Sequence, residues 1–258
     1  MEVKFYSTKE TLEKISQMID DNQTGAYLRF GDGDVSLALG ISELLQGSDS
    51  KLSELMIDTM KLKNDKVLRT LPLHCKELGT LENGMFPGNH EAPLNWCEDI
   101  VNNFRIITGE FDEIEFYTNV ALSHISIQDP DYAINFLNKI SKKVKYFIGN
   151  ESIPRNILEK LFGKNVVHIK TPSKASFSKF EEIYNEFKSV VGNDKQYSVV
   201  VTSMGCSGRP MQKRILDNYD NFFLFDFGSL MDALCGWETR AWMEMTNFNN
   251  VEFMRNIT

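Results

Sequence analysis

The sequence predicts an α/β protein, a single Rossmann-like domain whose mostly parallel sheet is covered by helices on both faces. Short apolar runs rich in β-formers alternate with helical patterns through the second half of the chain. These runs are almost continuously apolar, which is typical of strands buried on both sides. No repeat, low-complexity tract or Pro/Ser-rich linker divides the 258 residues, so residues 1–258 are predicted to form one domain.

The first half opens with a helix whose start is marked by the capping box Ser7-x-x-Glu10, followed by apolar residues at helical spacing. The further elements predicted here are a strand at 25–28 that ends at Arg29, a helix-like run at 35–41, a helix at 52–60, a strand at 66–71 stopped by Pro72, a long loop at 83–90, a helix from about 93 to 107, and an extended segment at 115–122.

The second half is patterned more clearly. The predicted strands are 143–148, 165–169, 197–202 and 222–225, and the predicted helices are 153–162, 177–191 and 211–219. Ser178-x-x-Glu181 is a second capping box, placed at the start of the middle helix. Because ligands of such sheets bind outside the carboxyl ends of the strands, the residues that follow each strand are the candidate site residues.

The first strand is followed by Arg29-Phe30-Gly31-Asp32-Gly33-Asp34. Mg²⁺ and Mn²⁺ prefer oxygen ligands and are often held by one or two carboxylates plus substrate phosphates, so the acid pair favours a divalent cation bridging to a phosphate. Gly31 and Gly33 would let the backbone approach a ligand closely. The alternative is ordinary turn chemistry, which uses the same residue types.

Four other strand ends carry small, hydroxylic or acidic residues, and one of them predicts an anion site. It is the turn from Ser203 to Pro210, where Gly205, Ser207 and Gly208 precede a helix and Arg209 adds positive charge. The alternative is a plain strand–turn–helix joint. The remaining strand-end segments are Lys170–Ser176, Asp226–Asp232 and Gly149–Ser152. Together they favour a nucleotide-type ligand.

Bulk composition argues against other classes of partner. The net charge is −8 with a pI near 5.1, and no Lys/Arg block marks a basic groove, so nucleic acid is not expected as a partner. No signal peptide or apolar stretch of membrane-spanning length is predicted. The four cysteines lack a Cys-x-x-Cys pair, which is typical of reduced thiols in a cytoplasmic protein.

These motifs resemble the GT-D-type glycosyltransferases, whose hallmark is Arg-Phe-Gly-Asp-Gly-Glu after an early strand. Here the last position is Asp34. The family's Pro-Ser-Lys-like turn is similar to Pro172-Ser173-Lys174, and its Asp-x-Gly-His is similar to the segment from Asp226 to Ser229, with serine in place of histidine. The segment from about 72 to 124 has no clear counterpart and is predicted to form the acceptor side.

The resemblance implies transfer of a sugar from a nucleoside diphosphate sugar, a UDP-sugar by preference, to an acceptor hydroxyl with Mn²⁺ or Mg²⁺ as cofactor. Asp34 is assigned as the primary metal ligand, and Asp32 as a second ligand or a contact to the donor sugar. Arg29 would pair with phosphate or orient a carboxylate. The residues assigned to the phosphates are Gly205, Ser207 and Gly208, and those assigned to the nucleotide are Thr171 and Ser173.

An inverting transferase also needs a general base for the acceptor hydroxyl. Asp226 is the first candidate, and Asp232 and His90 are the next. The acceptor is expected to be a glycan, a glycoprotein or a lipid-linked sugar, the last requiring only peripheral membrane contact. The segment Trp237–Met243 suits either the core or a contact in a homo-oligomer. Two alternative functions are a non-catalytic nucleotide-binding module and a metal-dependent phosphohydrolase or nucleotidyltransferase.

Overall fold

The protein contains one eight-stranded sheet in the order β1-β4-β3-β2-β8-β7-β5-β6. The computed structural model describes residues 3–43, 46–82, 91–246 and 248–257. Every strand pairing within these ranges is parallel. The α/β fold class is therefore confirmed.

The strands are β1 Val3–Tyr6, β2 Gly25–Leu28, β3 Val67–Leu71, β4 Ile114–Thr118, β5 Val144–Asn150, β6 Val167–Thr171, β7 Ser198–Ser203 and β8 Phe222–Asp226. The helices are α1 Thr8–Asp20, α2 Asp32–Ala38, α3 Ser50–Met60, α4 Leu94–Thr108, α5 Ala121–Gln128, α6 Pro130–Ser141, α7 Arg155–Phe162, α8 Phe180–Val191, α9 Gly208–Leu216, α10 Leu230–Leu234, α11 Ala241–Met245 and α12 Asn250–Arg255. Two 3₁₀ turns, Ser176–Lys179 and Gly205–Ser207, precede α8 and α9.

Both faces of the sheet are covered, as expected from its apolar strands. Alternate residues of β8 enter different cores: Phe223 and Phe225 pack in one apolar cluster, whereas Phe222 and Leu224 pack in the other. This alternation follows from the two-residue period of a strand. None of the helices in the described ranges has the length and apolar character needed to cross a membrane.

The first capping box is confirmed, and the second is wrong. Glu10 Oε2 accepts a hydrogen bond from the backbone N–H of Ser7 at 2.8 Å, which closes the box at the start of α1. Ser178 instead lies inside a 3₁₀ turn, and its hydroxyl donates to the carbonyl of Ala175 at 2.8 Å. The helix α8 begins only at Phe180.

Other differences concern element boundaries. The segment predicted as extended over 115–122 is a strand only as far as Thr118, because α5 begins at Ala121. The strand β1, the helices α5 and α6, and the three C-terminal helices were not predicted. The loop predicted at 83–90 lies outside the described residues.

Two junctions in the sheet, between β5 and β7 and between β2 and β8, separate strands from which the chain continues in opposite directions. Strand β6 lies on one side of β5, and β7 and then β8 lie on the other, so a crevice opens between β5 and β7. Strands β3 and β4 similarly extend outward from β2, whereas β8 lies on its opposite side. Such switch points are where open parallel sheets bind ligands, at the carboxyl ends of the strands.

Candidate functional site

A cavity of about 280 Å³ lies at the carboxyl edge of the sheet, across both switch points. The predicted site residues that line it are Arg29, Gly31, Asp32, Gly33, Asp34, Ser173, Gly205, Arg209, Asp226 and Asp232. Most of its wall is therefore built from the segments that follow the strands, as predicted for a parallel sheet.

Asp34 lies in the first turn of α2, where the chain leaves β2, and is only 2% exposed. Its Oδ2 accepts a hydrogen bond from the backbone N–H of Gly31 at 2.8 Å and lies 3.5 Å from Nη2 of Arg209. Its Oδ1 is buried and has no hydrogen-bond partner by distance and angle among the described residues, although the weakly donating Cys206 thiol lies close enough to lower the pKa of the carboxyl. Burial raises the pKa of this carboxyl, and Arg209 opposes the shift.

The rest of the early motif lies closer to solvent. Asp32 is exposed at the cavity wall, and α2 begins at this residue rather than after the motif. Gly33 packs under Glu43 and Cys206, because a Cβ at Gly33 would lie 3.5 Å from the former and 3.7 Å from the latter. Burial and the nearby Asp34 raise the pKa of the Cys206 thiol, so this cysteine is protonated at neutral pH.

Arg29 projects from the end of β2 across the turn that follows β8. Its Nη1 lies 3.5 Å from Oδ1 of Asp226, and its buried Nε has no hydrogen-bond partner among the described residues. The guanidinium occupies the space beside Gly228, where a Cβ would lie 1.3 Å from Nη1. Gly228 also has a φ of +61°, a conformation that favours glycine.

Arg209 lies in the first turn of α9 and is 6% exposed. Its Nε donates to the carbonyl oxygen of Arg29 at 2.8 Å, and its two Nη groups donate to the carbonyls of Arg29 and Gly205. The same guanidinium lies 3.4 Å from Oδ2 of Asp226 and 3.5 Å from Oδ2 of Asp34. Burial alone would lower the pKa of Arg209, but the two carboxylates raise it.

Three predicted ligand contacts, Thr171, Ser207 and Gly208, are not among the residues that line the cavity. Thr171 is buried and its hydroxyl donates to the carbonyl of Pro172. The Ser207 hydroxyl is 2.6 Å from that of Ser176 and donates to the carbonyl of Met204 at 3.0 Å. The hydrogen bond between Ser176 and Ser207 joins the loop after β6 to the loop after β7.

Of the three candidates for a general base, two line the cavity. Asp226 is 3% exposed and is shared between Arg29 and Arg209. Asp232 is partly exposed, and its Oδ2 accepts a hydrogen bond from the Thr239 hydroxyl at 2.7 Å. Burial raises the pKa of Asp232. His90 lies outside the described residues.

Sequence reasoning missed four polar residues of the cavity wall: Glu43, Gln46, Asn119 and Arg240. Asn119 directly follows β4, so the strand-end rule would have found it had the strand not been extended to residue 122. Glu43 and Gln46 follow α2 rather than a strand, and Arg240 immediately precedes α11, so no strand end marks any of the three.

The acids fit a divalent cation only if a bound substrate completes its coordination. Within the described ranges, no group of three or more His, Cys, Asp or Glu side chains is placed to hold a metal ion. Asp34 nevertheless has a buried, unpaired carboxylate oxygen, and Asp32 lies in the same wall. Mg²⁺-type ions are commonly held by one or two carboxylates plus substrate phosphates, and this pair suits that arrangement.

The fold and the cavity define an α/β protein with a polar, charge-lined ligand site at the carboxyl ends of a parallel sheet. No protein-family model matches the sequence, and no curated protein matches it.

Solved structures of domain of unknown function 1792 are similar to this chain. A selenomethionine-substituted form has a TM-score of 0.68 at 17% identity, with 90% of this chain and 80% of that chain covered. A second, described as having a distinct glycosyltransferase fold, has a TM-score of 0.65 at 17% identity over 90% and 80% of the two chains. A third, described as a new glycosyltransferase from Streptococcus sanguinis, has a TM-score of 0.65 at 17% identity over 89% and 82%. At this identity, the likeness shows a shared fold, and function must be argued from the site.

Proposed function

We propose that this protein is a metal-dependent glycosyltransferase that moves a sugar from a nucleoside diphosphate sugar, by preference a UDP-sugar, to an acceptor hydroxyl. The observation that carries the proposal is a pair of unsatisfied charged groups in one cavity wall. Oδ1 of Asp34 lacks a hydrogen-bond partner, as does Nε of Arg29, among the described residues. A divalent cation with a diphosphate supplies the positive and negative partners that these two groups require.

The donor diphosphate would lie between Arg29 and the acids of α2. Asp34, with Asp32 as the second ligand, would hold Mn²⁺ or Mg²⁺, which supplies Lewis-acid stabilisation of the departing diphosphate. Arg29 would donate its free N–H groups to a phosphate oxygen, a charge-assisted hydrogen bond. Its side chain is 21% exposed, so the guanidinium is accessible from the cavity.

Two further supports are independent of this charge argument. The early motif of this chain resembles that of the GT-D-type glycosyltransferases, and two of the solved structures that share its fold are described as glycosyltransferases or as having a glycosyltransferase fold. The cavity also spans two switch points, so the nucleoside and the acceptor would have separate crevices available.

We assign the general base to Asp232 in preference to Asp226. Each oxygen of Asp226 faces an arginine, at 3.5 Å and 3.4 Å, so both are already paired with a cation. One Asp232 oxygen accepts a hydrogen bond from Thr239, and the other accepts none from the described residues, which suits it to accept a proton from a hydroxyl. Its raised pKa brings it closer to the neutral range, where a base is most effective.

The decisive experiment is incubation with a panel of UDP-sugars and Mn²⁺, followed by measurement of released UDP. The wild-type protein should release UDP slowly without acceptor and faster with a glycan, glycoprotein or lipid-linked acceptor. Asp34→Ala should abolish the metal-dependent release. The matched control is Asp217→Ala, since this carboxylate is half exposed and, within the described part of the chain, forms its one ion pair with Lys213.

Each alternative function has a different outcome in the same assays. Release of inorganic phosphate instead of UDP would identify a phosphohydrolase. UDP binding that is unchanged by EDTA, with no turnover of any sugar donor, would identify a nucleotide-binding module. Full activity of Asp34→Ala, with thermal unfolding unchanged, would remove the proposed metal site.

A further inference from the structure

Arg209 has as many acceptor contacts as its guanidinium has N–H groups. A guanidinium carries five N–H hydrogens. The carbonyl of Arg29 accepts two of them, and the carbonyl of Gly205 accepts a third. Nη2 and Nη1 also lie 3.5 Å and 3.4 Å from the carboxylate oxygens of Asp34 and Asp226, as ion pairs. Every nitrogen of this buried guanidinium therefore already donates to a protein carbonyl, and its charge already faces two carboxylates.

These contacts join four separate parts of the site. They reach the end of β2 at Arg29, the turn after β7 at Gly205, the tip of β8 at Asp226 and the first turn of α2 at Asp34. The early motif at 29–34 lies far in the sequence from Gly205 and Asp226, so a single side chain bridges these parts of the site.

We propose that Arg209 is a positioning residue, which holds Asp34 and Asp226 in place and neutralises them, and that Arg29 is the arginine that binds the phosphate. This inference rests on the proposed function for its catalytic consequence. It reverses the simplest expectation from the sequence, in which Arg209 belongs to an anion-binding turn. The two arginines line the same cavity and differ in whether their donors are already used.

The neutralising role follows from burial. Asp34 and Asp226 are 2% and 3% exposed, and removal of the cation between them would leave two carboxylates in a low-dielectric environment. Like charges in such a setting disfavour each other's ionised form, and relaxation would move the side chains apart. Either response changes the position of Asp34 without removing any phosphate contact.

The test compares matched substitutions of the two arginines. In Arg29→Met, the calorimetric Kd for UDP with Mn²⁺ should rise about 10- to 100-fold, which corresponds to the loss of one charge-assisted hydrogen bond. In Arg209→Lys, kcat should fall about 100-fold through misplacement of the acids. Its UDP Kd measured in EDTA should stay within about twofold of wild type, since no phosphate contact is lost, whereas Arg29→Met should also raise this metal-free Kd. A metal-free UDP Kd that rises as much in Arg209→Lys as in Arg29→Met would overturn the assignment.

A second arm does not depend on the proposed function. Thermal unfolding of the ligand-free protein is compared for Arg209→Met, Asp226→Asn and the double variant. Asp226→Asn should lower the Tm of the wild-type protein but raise that of Arg209→Met, because it removes one of two buried carboxylates that have lost the cation they shared. Equal Tm losses in both backgrounds would show that Arg209 does not neutralise Asp226. If the wild-type protein binds no UDP, the proposed function fails while this arm still decides the positioning role.

Discussion

Gly228→Ala should displace the arginine that we assign to the phosphate while leaving every charged residue in the chain. The new Cβ would lie 1.3 Å from Nη1 and 2.5 Å from Cζ of Arg29, far inside van der Waals contact. The guanidinium must therefore leave its place beside Asp226. The substitution therefore tests the position of the Arg29 guanidinium rather than its presence.

The expected cost in stability has two parts. Holding alanine at a φ of +61° costs about 1–2 kcal/mol. Loss of the partly buried contact between Arg29 and Asp226 adds roughly 1 kcal/mol. At roughly 2–4 °C per kcal/mol for a protein of this size, the Tm should fall by about 4–12 °C.

The matched control is Gly109→Ala. Gly109 ends α4 in the left-handed conformation with a φ of +75°, and a Cβ there would meet no atom within 4 Å. The Gly109→Ala variant has only the free-energy cost of a left-handed backbone at alanine, so its Tm should fall less than that of Gly228→Ala. Calorimetry with UDP and Mn²⁺ should show wild-type affinity for Gly109→Ala and a Kd raised about tenfold or more for Gly228→Ala. Equal UDP affinity in the two variants would refute the assignment of Arg29 to the phosphate.

Three further predictions concern the acids. Asp34→Glu should retain more metal-dependent UDP release than Asp34→Asn, because the charge matters more than the length; the reverse order would contradict metal ligation. If Asp232 is the base, kcat/KM should fall as the pH drops through the raised pKa of Asp232, which lies above the ordinary aspartate value of about 3.9. A pH profile of kcat/KM that is unchanged in Asp232→Asn would exclude Asp232 as the base. Glu110→Ala should leave the buried Arg69 without its bidentate partner and lower the free energy of unfolding by about 3–5 kcal/mol, or the Tm by about 6–20 °C, with UDP binding unchanged. A smaller decrease in Tm would show that this ion pair is not needed for stability.

The parts of the fold predicted well from the sequence are those set by local patterns. The strands from β5 to β8 are apolar runs bounded by turn residues, and they are placed within two or three residues. The second capping box failed because a tertiary contact outweighs the local signal. Ser176, two residues before Ser178, bonds to Ser207 and to the carbonyl of Met204, and these bonds pin the 3₁₀ turn at that point.

Most of the residues that line the site could be predicted from the sequence, but the contacts between them could not. The strand-end rule located most of the residues that line the cavity, because all carboxyl ends of a parallel sheet meet at one edge. It could not distinguish Arg209 from Arg29, since each is an arginine within two residues of a glycine in a turn that follows a strand. The difference lies in which acceptors surround each guanidinium, and those acceptors come from strands whose order along the sheet is not written in the local sequence.

The pairing of β2 with β8 makes the site depend on the whole fold. Arg29 and Asp226 are 197 residues apart in the chain, and they meet only because the last strand lies between β2 and β7. The bonds from Arg209 to the Arg29 carbonyl then cross the same junction. A chain without β8 would leave Arg209 with no second carboxylate and the Arg29 guanidinium without the carboxylate it faces, so the charged wall of the cavity requires β8 in its place between β2 and β7. Ligand binding at this wall should accordingly stabilise the junction between the two halves of the sheet, since it favours the state in which both are joined.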